Sequence, residues 1–454
     1  MNPETGTGAL FPRDFRRRYP LAARGEGCWI FTDEGKKLLD AAGSAAVVSI
    51  GHGVGEIGEA MAEQARRLAF VHSSEFHTRA AEELARQLLD LAPANFRQGG
   101  RVLLTSGGSE ATETAIKLCR QYFLERGEPQ RAKIVSRRQS YHGSTLGALA
   151  ASGNVGRREP YEPLLANWDK IAPCYCYRCP LGLRFPECNI ACADDLETHL
   201  RENGSEDVAA FLFEPVSGAT LGAVAPPEGY AKRIEEICRR HGILLIADEV
   251  MTGVGRTGKS FAVEHWGVEP DLLLVGKGVA SGYAPVGGVI ASAGVVETIA
   301  KGSGRFVHGF TYSAHPVAAA AGVAVLDYLE RHHLFSRVSG VGAELGRAIE
   351  GLRGEFPIIG DVRGLGLLWG TELVRQRDTR LAYPAELKVA QRVFQAAYEA
   401  GVLTYPIQGC VDGHAGDHLL FAPPFILSSA EIEALVAGLR TALTQVVAAL
   451  PVER

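Results

Sequence analysis

From about Glu56 onward the chain alternates two hydrophobic rhythms. Apolar residues fall at helical spacing in EIGEAMAEQARRL, from Glu56, and in AAEELARQLLDL, from Ala80. Short apolar runs lie between such stretches: VLLT, KIVS, AAFLFEP, ILLIADEV and DLLLVGK, beginning at Val102, Lys133, Ala209, Ile243 and Asp271. Runs of this length bounded by turn residues read as buried strands. Strands alternating with helices predict a mostly parallel sheet covered on both faces. Upstream, GEGCWIFTDEGKKLLDAAG reads as two short strands joined by a turn at Asp33 to Gly35. After about residue 325 the rhythm changes. Helical stretches such as AELGRAIEGLR and AELKVAQRVFQAAYEAG now flank the short strands GLLWGTEL and HLLFAP, predicting a smaller α+β domain. The expected organisation is an N-terminal segment, 1–55, contributing to that small domain, a large domain, 56–325, and a C-terminal small domain, 326–454. No internal repeat appears, and the irregular stretch 155–193 reads as a loop insertion.

Composition narrows the class without identifying it. The 454 residues are 46% hydrophobic and 22% charged, as in ordinary globular proteins. The net charge of -5 is spread without long runs, so neither a nucleic-acid surface nor a polybasic membrane anchor is expected. Arg16, Arg17 and Arg18 read as a solvated face. No run approaches the roughly 18 apolar residues of a membrane span. The opening MNPETGTGALFPRDF lacks the pattern of a leader, so the expected location is cytoplasmic. Nine cysteines is an odd count for a disulfide framework, and Cys119 and Cys238 fall in helical patterns as buried thiols.

The lysine ending DLLLVGK is the first chemical signal. Lys277 sits between two glycines at the end of a buried run, where an unpartnered ammonium is rare. Its stem could pack while its head reaches water, or the amine could have a use. GVGRTGKS, residues 253–260, matches the phosphate-loop pattern. A true phosphate loop leaves a strand directly and opens a helix; here Asp248 to Met251 intervene and SFAVEHWGVEP is a poor helix former, so the match reads as chance. A better anion site is VLLTSGGSEATETAIKLCRQYF, where a strand meets Ser106, Gly107, Gly108 and Ser109 before a helix. A plain Ser-capped helix is the other reading. ILLIADEV carries Asp248 and Glu249 at a strand's carboxyl end, where parallel sheets bind ligands. Alternation points them to opposite sides, so one faces the ligand and the other is expected on the surface or in a salt bridge. An anion cradle, a carboxylate and a lysine suit pyridoxal phosphate, whose aldehyde, ring nitrogen and phosphate they would meet.

With these residues in view, the chain resembles the class III pyridoxal-phosphate aminotransferases of fold type I, which include the ω-transaminases. The resemblance runs from GCWIFTDEGKKLLDAAG to GDHLLFAPPF, with its centre in LLIADEVMTGVGRTGKSFAVEHWGVEPDLLLVGKGVASGYAPVGGVI. It implies that Lys277 forms the internal aldimine with the aldehyde of pyridoxal 5'-phosphate and moves protons, and that Asp248 pairs with the ring nitrogen. Val250 and Tyr141 would cover the two faces of the ring, with His142 beside Tyr141 in SYHG also at the cofactor. Gly108 and Ser109 would hold the phosphate. Thr311 would reach the phosphate from a second subunit, implying a homodimer with shared sites, and Glu214 would line the substrate pocket. The implied activity is ping-pong transfer of nitrogen from a primary amine or ω-amino acid to a keto acid. Lyase or mutase chemistry on the same platform is the alternative, and a catalytically idle cofactor-binding protein a further one.

Two departures from that pattern bear on substrate. Many relatives carry an arginine shortly before GDH that binds the acceptor's carboxylate; Thr404 to Leu420 contains none. Ala46 stands where ω-transaminases often place a large aromatic residue, so a roomier pocket is expected. Separately, Cys174, Cys176, Cys179, Cys188 and Cys192 crowd the insertion at spacings a tetrahedral zinc could use, with plain packing of the loop as the alternative.

Overall fold

The structure, a computed structural model, describes residues 9–451. Residues 1–8, part of the N-terminal stretch read above, and 452–454 lie outside the described residues. In chain order the strands are β1 (Ala22–Glu26), β2 (Trp29–Thr32), β3 (Lys37–Asp40), β4 (Arg101–Thr105), β5 (Lys133–Arg137), β6 (Lys170–Ile171), β7 (Val208–Phe213), β8 (Leu244–Asp248), β9 (Leu272–Val275), β10 (Gly287–Ala291), β11 (Ile359–Leu365), β12 (Leu368–Leu373), β13 (Val402–Leu403), β14 (Tyr405–Gln408) and β15 (Asp417–Phe421). All five apolar runs of the large domain are strands.

They form a seven-stranded sheet in the order β4-β10-β9-β8-β7-β5-β6. Every residue of β7, β8, β9 and β10 is buried, which explains why these segments are continuously apolar rather than alternating. The pairs β9/β8, β8/β7, β7/β5 and β5/β6 are parallel. β10, hidden in the glycine-rich PVGGVI, lies antiparallel between β4 and β9. Its register sets Gly287 against Thr105 and Gly288 against Val275, which brings the ends of β4 and β9 to one edge of the sheet. A Cβ on Gly287 would sit 2.5 Å from the Gly107 carbonyl carbon, so the turn after β4 can approach only a glycine there.

Helices cover both faces. Arg79–Leu91 starts at Thr78, whose hydroxyl accepts the Ala81 N–H (3.3 Å), and buries Ala81, Leu84 and Leu88 on one stripe. Gly108–Glu125 buries Ala115, Leu118 and Cys119, as its spacing predicts, and Tyr230–His241 buries Cys238 before ending on the left-handed Gly242. The C-terminal sheet, β11-β12-β15-β14, is antiparallel. β1, β2 and β3 form the opening hairpin with one strand more than its sequence announces. β13 adds parallel to β3, so the two ends of the chain share a sheet. Contrary to the sequence expectation, Ser429–Ala449 is long and apolar enough by composition to cross a membrane. Its Ile432, Leu435, Leu439, Leu443 and Val446 are packed into the main core, which accounts for the apolarity.

Candidate active site

The edge where β4, β8 and β9 end opens into a cavity of about 490 Å³, lined by Gly108, Ser109, Tyr141, His142, Glu214, Asp248, Val250 and Lys277 among others. That volume suits a small cofactor with a substrate. Eight of the ten site residues named from sequence thus surround one space. Asp248 ends β8 and Lys277 lies two residues past the end of β9, on adjacent parallel strands in which Asp248 pairs with Leu274. Lys277 adopts a left-handed φ of 43°, an uncommon conformation for a residue with a Cβ and one that turns its side chain off the strand direction. No hydrogen bond among the described residues engages its amine. Burial draws the Lys277 pKa below the ordinary lysine value, while the Asp248 and Glu214 carboxylates oppose the shift.

Asp248 is held from two sides. Its Oδ2 lies 2.8 Å from His142 Nδ1 and its Oδ1 accepts the Val250 N–H (3.1 Å). The His142 ring is buried and its Nε2 has no hydrogen-bond partner among the described residues. The Val250 N–H bond turns the chain so that Val250 enters the cavity wall. The neighbouring Glu249 corrects the expectation of a surface or salt-bridged residue: it is 1% exposed, with Thr252 Oγ1 donating to Oε2 and the Val263 N–H to Oε1 (2.9 Å). Burial pushes its pKa up to about 7, against the pull of those hydrogen bonds.

Glu214 is also buried. Its Oε1 accepts the Tyr141 N–H (3.1 Å) and its Oε2 the Gly218 N–H (2.9 Å), so it fixes the backbone behind Tyr141 while facing the cavity. Burial raises its pKa, with His142 and the guanidinium of Arg137 drawing it back. Arg137, itself 1% exposed, donates to the Glu214 carbonyl (2.5 Å), Ser217 Oγ (3.3 Å) and Cys174 Sγ (3.2 Å). Sequence reasoning passed over it because the KIVS run stops one residue short.

At the opposite end, Ser106, Gly107, Gly108 and Ser109 line the cavity where the eighteen-residue helix Gly108–Glu125 begins. Its first N–H groups and its dipole favour an anion. A Cβ on Gly108 would meet Val250 Cγ1 at 2.9 Å, so this cradle closes only around a glycine. Anion site, free amine and buried carboxylate therefore fit pyridoxal phosphate as a set. GVGRTGKS does not act as a phosphate loop: it is a run of turns leading to the short 3₁₀ helix Ala262–Trp266. Its Arg256 is buried and donates to the carbonyls of Leu367 (3.1 Å), Pro423 (2.5 Å) and Val48 (3.2 Å).

One of the site residues falls elsewhere than the sequence placed it. Ala46 is 2% exposed in a cluster with Val216, Leu368 and Leu420, and Val47 takes the place at the cavity wall. The reason is local backbone: Ser44, Ala45 and Ala46 all have positive φ, a turn that no side-chain pattern announces. Thr311 is exposed and does not line this chain's cavity. Of the insertion's cysteines, Cys176, Cys179, Cys188 and Cys192 line one small cavity, but they do not form a metal site. Among the described residues no group of three or more His, Cys, Asp or Glu could hold a metal; Cys174 and Cys192 are buried, Cys176 is exposed, and all are free thiols.

Comparison with known proteins agrees with this geometry. The family described as aminotransferase class-III matches residues 13–443. An uncharacterized aminotransferase of Bacillus subtilis is 39% identical over 428 residues, 94% of this chain and 95% of that one. The putrescine–pyruvate aminotransferase of Pseudomonas aeruginosa is 33% identical over 432 residues, 95% of this chain and 91% of that one. An amine transaminase from an uncultivated Pseudomonas species, solved in its pyridoxal-phosphate-bound form, superimposes with a TM-score of 0.89 at 34% identity, covering 98% of each chain.

Proposed function

The chain belongs to the class III aminotransferases and is a pyridoxal-phosphate-dependent transaminase of fold type I, and from that premise we propose that its donor is a primary amine or ω-amino acid and its acceptor a keto acid. When bound, pyridoxal phosphate supplies the carbonyl that captures amino nitrogen and the ring that accepts the electron pair. The chain supplies the rest. The helix start at Gly108 and Ser109 would anchor the phosphate, Asp248 would meet the ring nitrogen, and Val250 and Tyr141 would wall the ring on its two faces. Asp248 keeps its direction because His142 and the Val250 N–H hold both oxygens. Lys277 Nζ holds and moves the proton at the reacting carbon. A neutral amine is needed for both covalent attachment and proton abstraction, and the burial that lowers its pKa favours that form.

The observation that carries this reading is the free Lys277 amine in one cavity with Asp248 and the helix N-terminus. The test is an absorbance spectrum of the purified protein, followed by a panel of amines without acceptor. A visible band that bleaches with primary amines and is absent from Lys277→Ala supports it. A colourless protein that pyridoxal phosphate cannot reconstitute would remove it. Nitrogen appearing on an added keto acid distinguishes transamination from the lyase alternative, which releases ammonia.

A homodimer with shared sites is part of the same proposal. Val307 and Tyr312, both exposed, flank Thr311, and Tyr312 meets Phe70 edge-on at 5.8 Å between ring centroids. An apolar face beside a threonine that does not serve its own cavity supports a second copy docking there. Dimer mass by sedimentation, with weaker phosphate retention in Thr311→Ala, tests it. The nine unpaired thiols support the expected reducing, cytoplasmic compartment.

A further inference from the structure

A keto acid carries its carboxylate into a cavity whose own charged walls are two carboxylates and one lysine. Glu214 and Asp248 would repel it, and Lys277 is committed to the cofactor. The remaining cations near the cavity divide sharply. Arg137 is buried against the Glu214 carbonyl and Cys174. Arg256 is buried against three carbonyls. Arg158 is bonded to Glu162 (2.9 Å) and to the carbonyls of Leu149, Ala150 and Ser152.

Arg157 differs from all of these. It is exposed, on the short helix Val155–Arg158 at the cavity's side, and its guanidinium carbon lies 4.7 Å from the centroid of the Tyr141 ring, a ring that lines the cavity. The carboxylates close to it in sequence are taken: Glu162 by Arg158 and Glu159 by His414 (2.9 Å). Among the described residues Arg157 forms no ion pair. A guanidinium stacked on an aromatic face keeps its N–H groups, which lie in its own plane, free at the rim. The helix also abuts the arginine-free stretch Thr404 to Leu420: a Cβ on Gly413 would meet Val155 Cβ at 2.4 Å. The cation therefore stands on the element packed against the segment that lacks one.

We propose that Arg157 binds the carboxylate of the keto-acid acceptor at the cavity rim, using Tyr141 as its platform, and so selects keto acids over neutral carbonyl compounds. The proposal rests on the transaminase reading above. A bidentate guanidinium–carboxylate pair forms in the acceptor half of the cycle and is absent from the half in which a simple amine is bound. The same side chain therefore discriminates by charge without hindering the donor.

The experiment compares pyruvate with acetaldehyde, which differ by the carboxylate, as acceptors for one amine. In Arg157→Met the ratio of kcat/KM for pyruvate to that for acetaldehyde should fall roughly ten- to hundredfold, the loss of one charge-assisted pair. Arg157→Lys should recover part of it. The pyruvate KM of the native protein should rise with salt, and this dependence should flatten in Arg157→Met. Calorimetry with butanoate on the unloaded protein gives a readout free of turnover: native protein binds it, and Arg157→Met binds it more weakly by a similar factor. A ratio within twofold of native overturns the proposal. So does a parallel loss with both acceptors, which would mean that Arg157 only positions Tyr141, or native protein that ignores butanoate. A native protein that aminates neither acceptor and releases ammonia would instead overturn the transamination reading itself.

Discussion

Replacing Gly108 by alanine tests the cofactor cradle at its tightest point. The added Cβ would lie 2.9 Å from Val250 Cγ1, 3.1 Å from Cγ2 and 3.6 Å from Cβ. Carbon pairs prefer about 3.5–4.0 Å, so the valine must retreat by roughly 0.5–1 Å. Its backbone is tied to Asp248, so the isopropyl group gives way toward the cavity it lines. In the unloaded protein that space is open and the move is easy; with the cofactor in place it is not. Most of the overpacking cost, about 1–3 kcal/mol, should therefore appear in binding rather than in folding. The expected result is pyridoxal phosphate affinity lowered by about 5- to 150-fold, with little change in melting temperature of the unloaded protein. The assay is a fluorescence or absorbance titration of stripped protein. Adding Val250→Ala removes both opposing methyls and should restore affinity to within a few-fold in a double-mutant cycle. Native affinity in Gly108→Ala, or no recovery in the double variant, would refute the reasoning.

Other consequences follow from the same geometry. Because burial lowers the Lys277 pKa, capture of pyridoxal phosphate by unloaded protein should accelerate with pH and level off below 10.5, the ordinary lysine value; a plateau at or above it contradicts the assignment. Glu249, with a folded pKa of about 7 against 4.5 unfolded, binds its proton more tightly when folded. Its contribution is complete below about 4.5 and lost as pH rises through 7, at most about 3 kcal/mol, and Glu249→Gln should flatten that slope in urea denaturation across the window. Arg256→Met orphans three buried carbonyls from segments far apart in sequence and should cost about 3 kcal/mol or more, seen as a lower melting temperature with earlier hydrogen exchange around Val48, Leu367 and Pro423. Val47→Trp should shift preference toward shorter amines, whereas Ala46→Trp should chiefly destabilise, since only Val47 reaches the cavity; identical amine profiles in the two variants would contradict this.

The sequence by itself determined the strands and the chemistry they carry. Five buried runs were legible because each is apolar on both faces, and Lys277 and Asp248 stood out because charged residues ending such runs need a purpose. The glycines of SGGS marked the anion site for the same reason: only a bare backbone tolerates close approach. Less regular signals were silent. β10 is built on two glycines and lacked the run that announces a strand, although it brings β4 and β9 to a common edge and so assembles the site.

Tertiary structure alone decided which residues share the cavity. Ala46 and Val47 differ by one position, and three consecutive positive φ angles, set by packing rather than by side-chain pattern, choose between them. Alternation sends Glu249 away from the ligand and so suggests a surface or salt-bridged residue; the opposite side of a doubly covered sheet is core, not water. Spacing in the cysteine insertion fits a tetrahedral metal, and the fold does gather Cys176, Cys179, Cys188 and Cys192 around one small cavity, yet among the described residues they form no group that could hold a metal, and Cys174 turns toward Arg137. Arg157 carries no signal in its local sequence. Its importance arises only when Tyr141, the Val155–Arg158 helix and the loop at Gly413 are folded together, because a charge acquires a partner, or the lack of one, from neighbours that the chain brings from a distance.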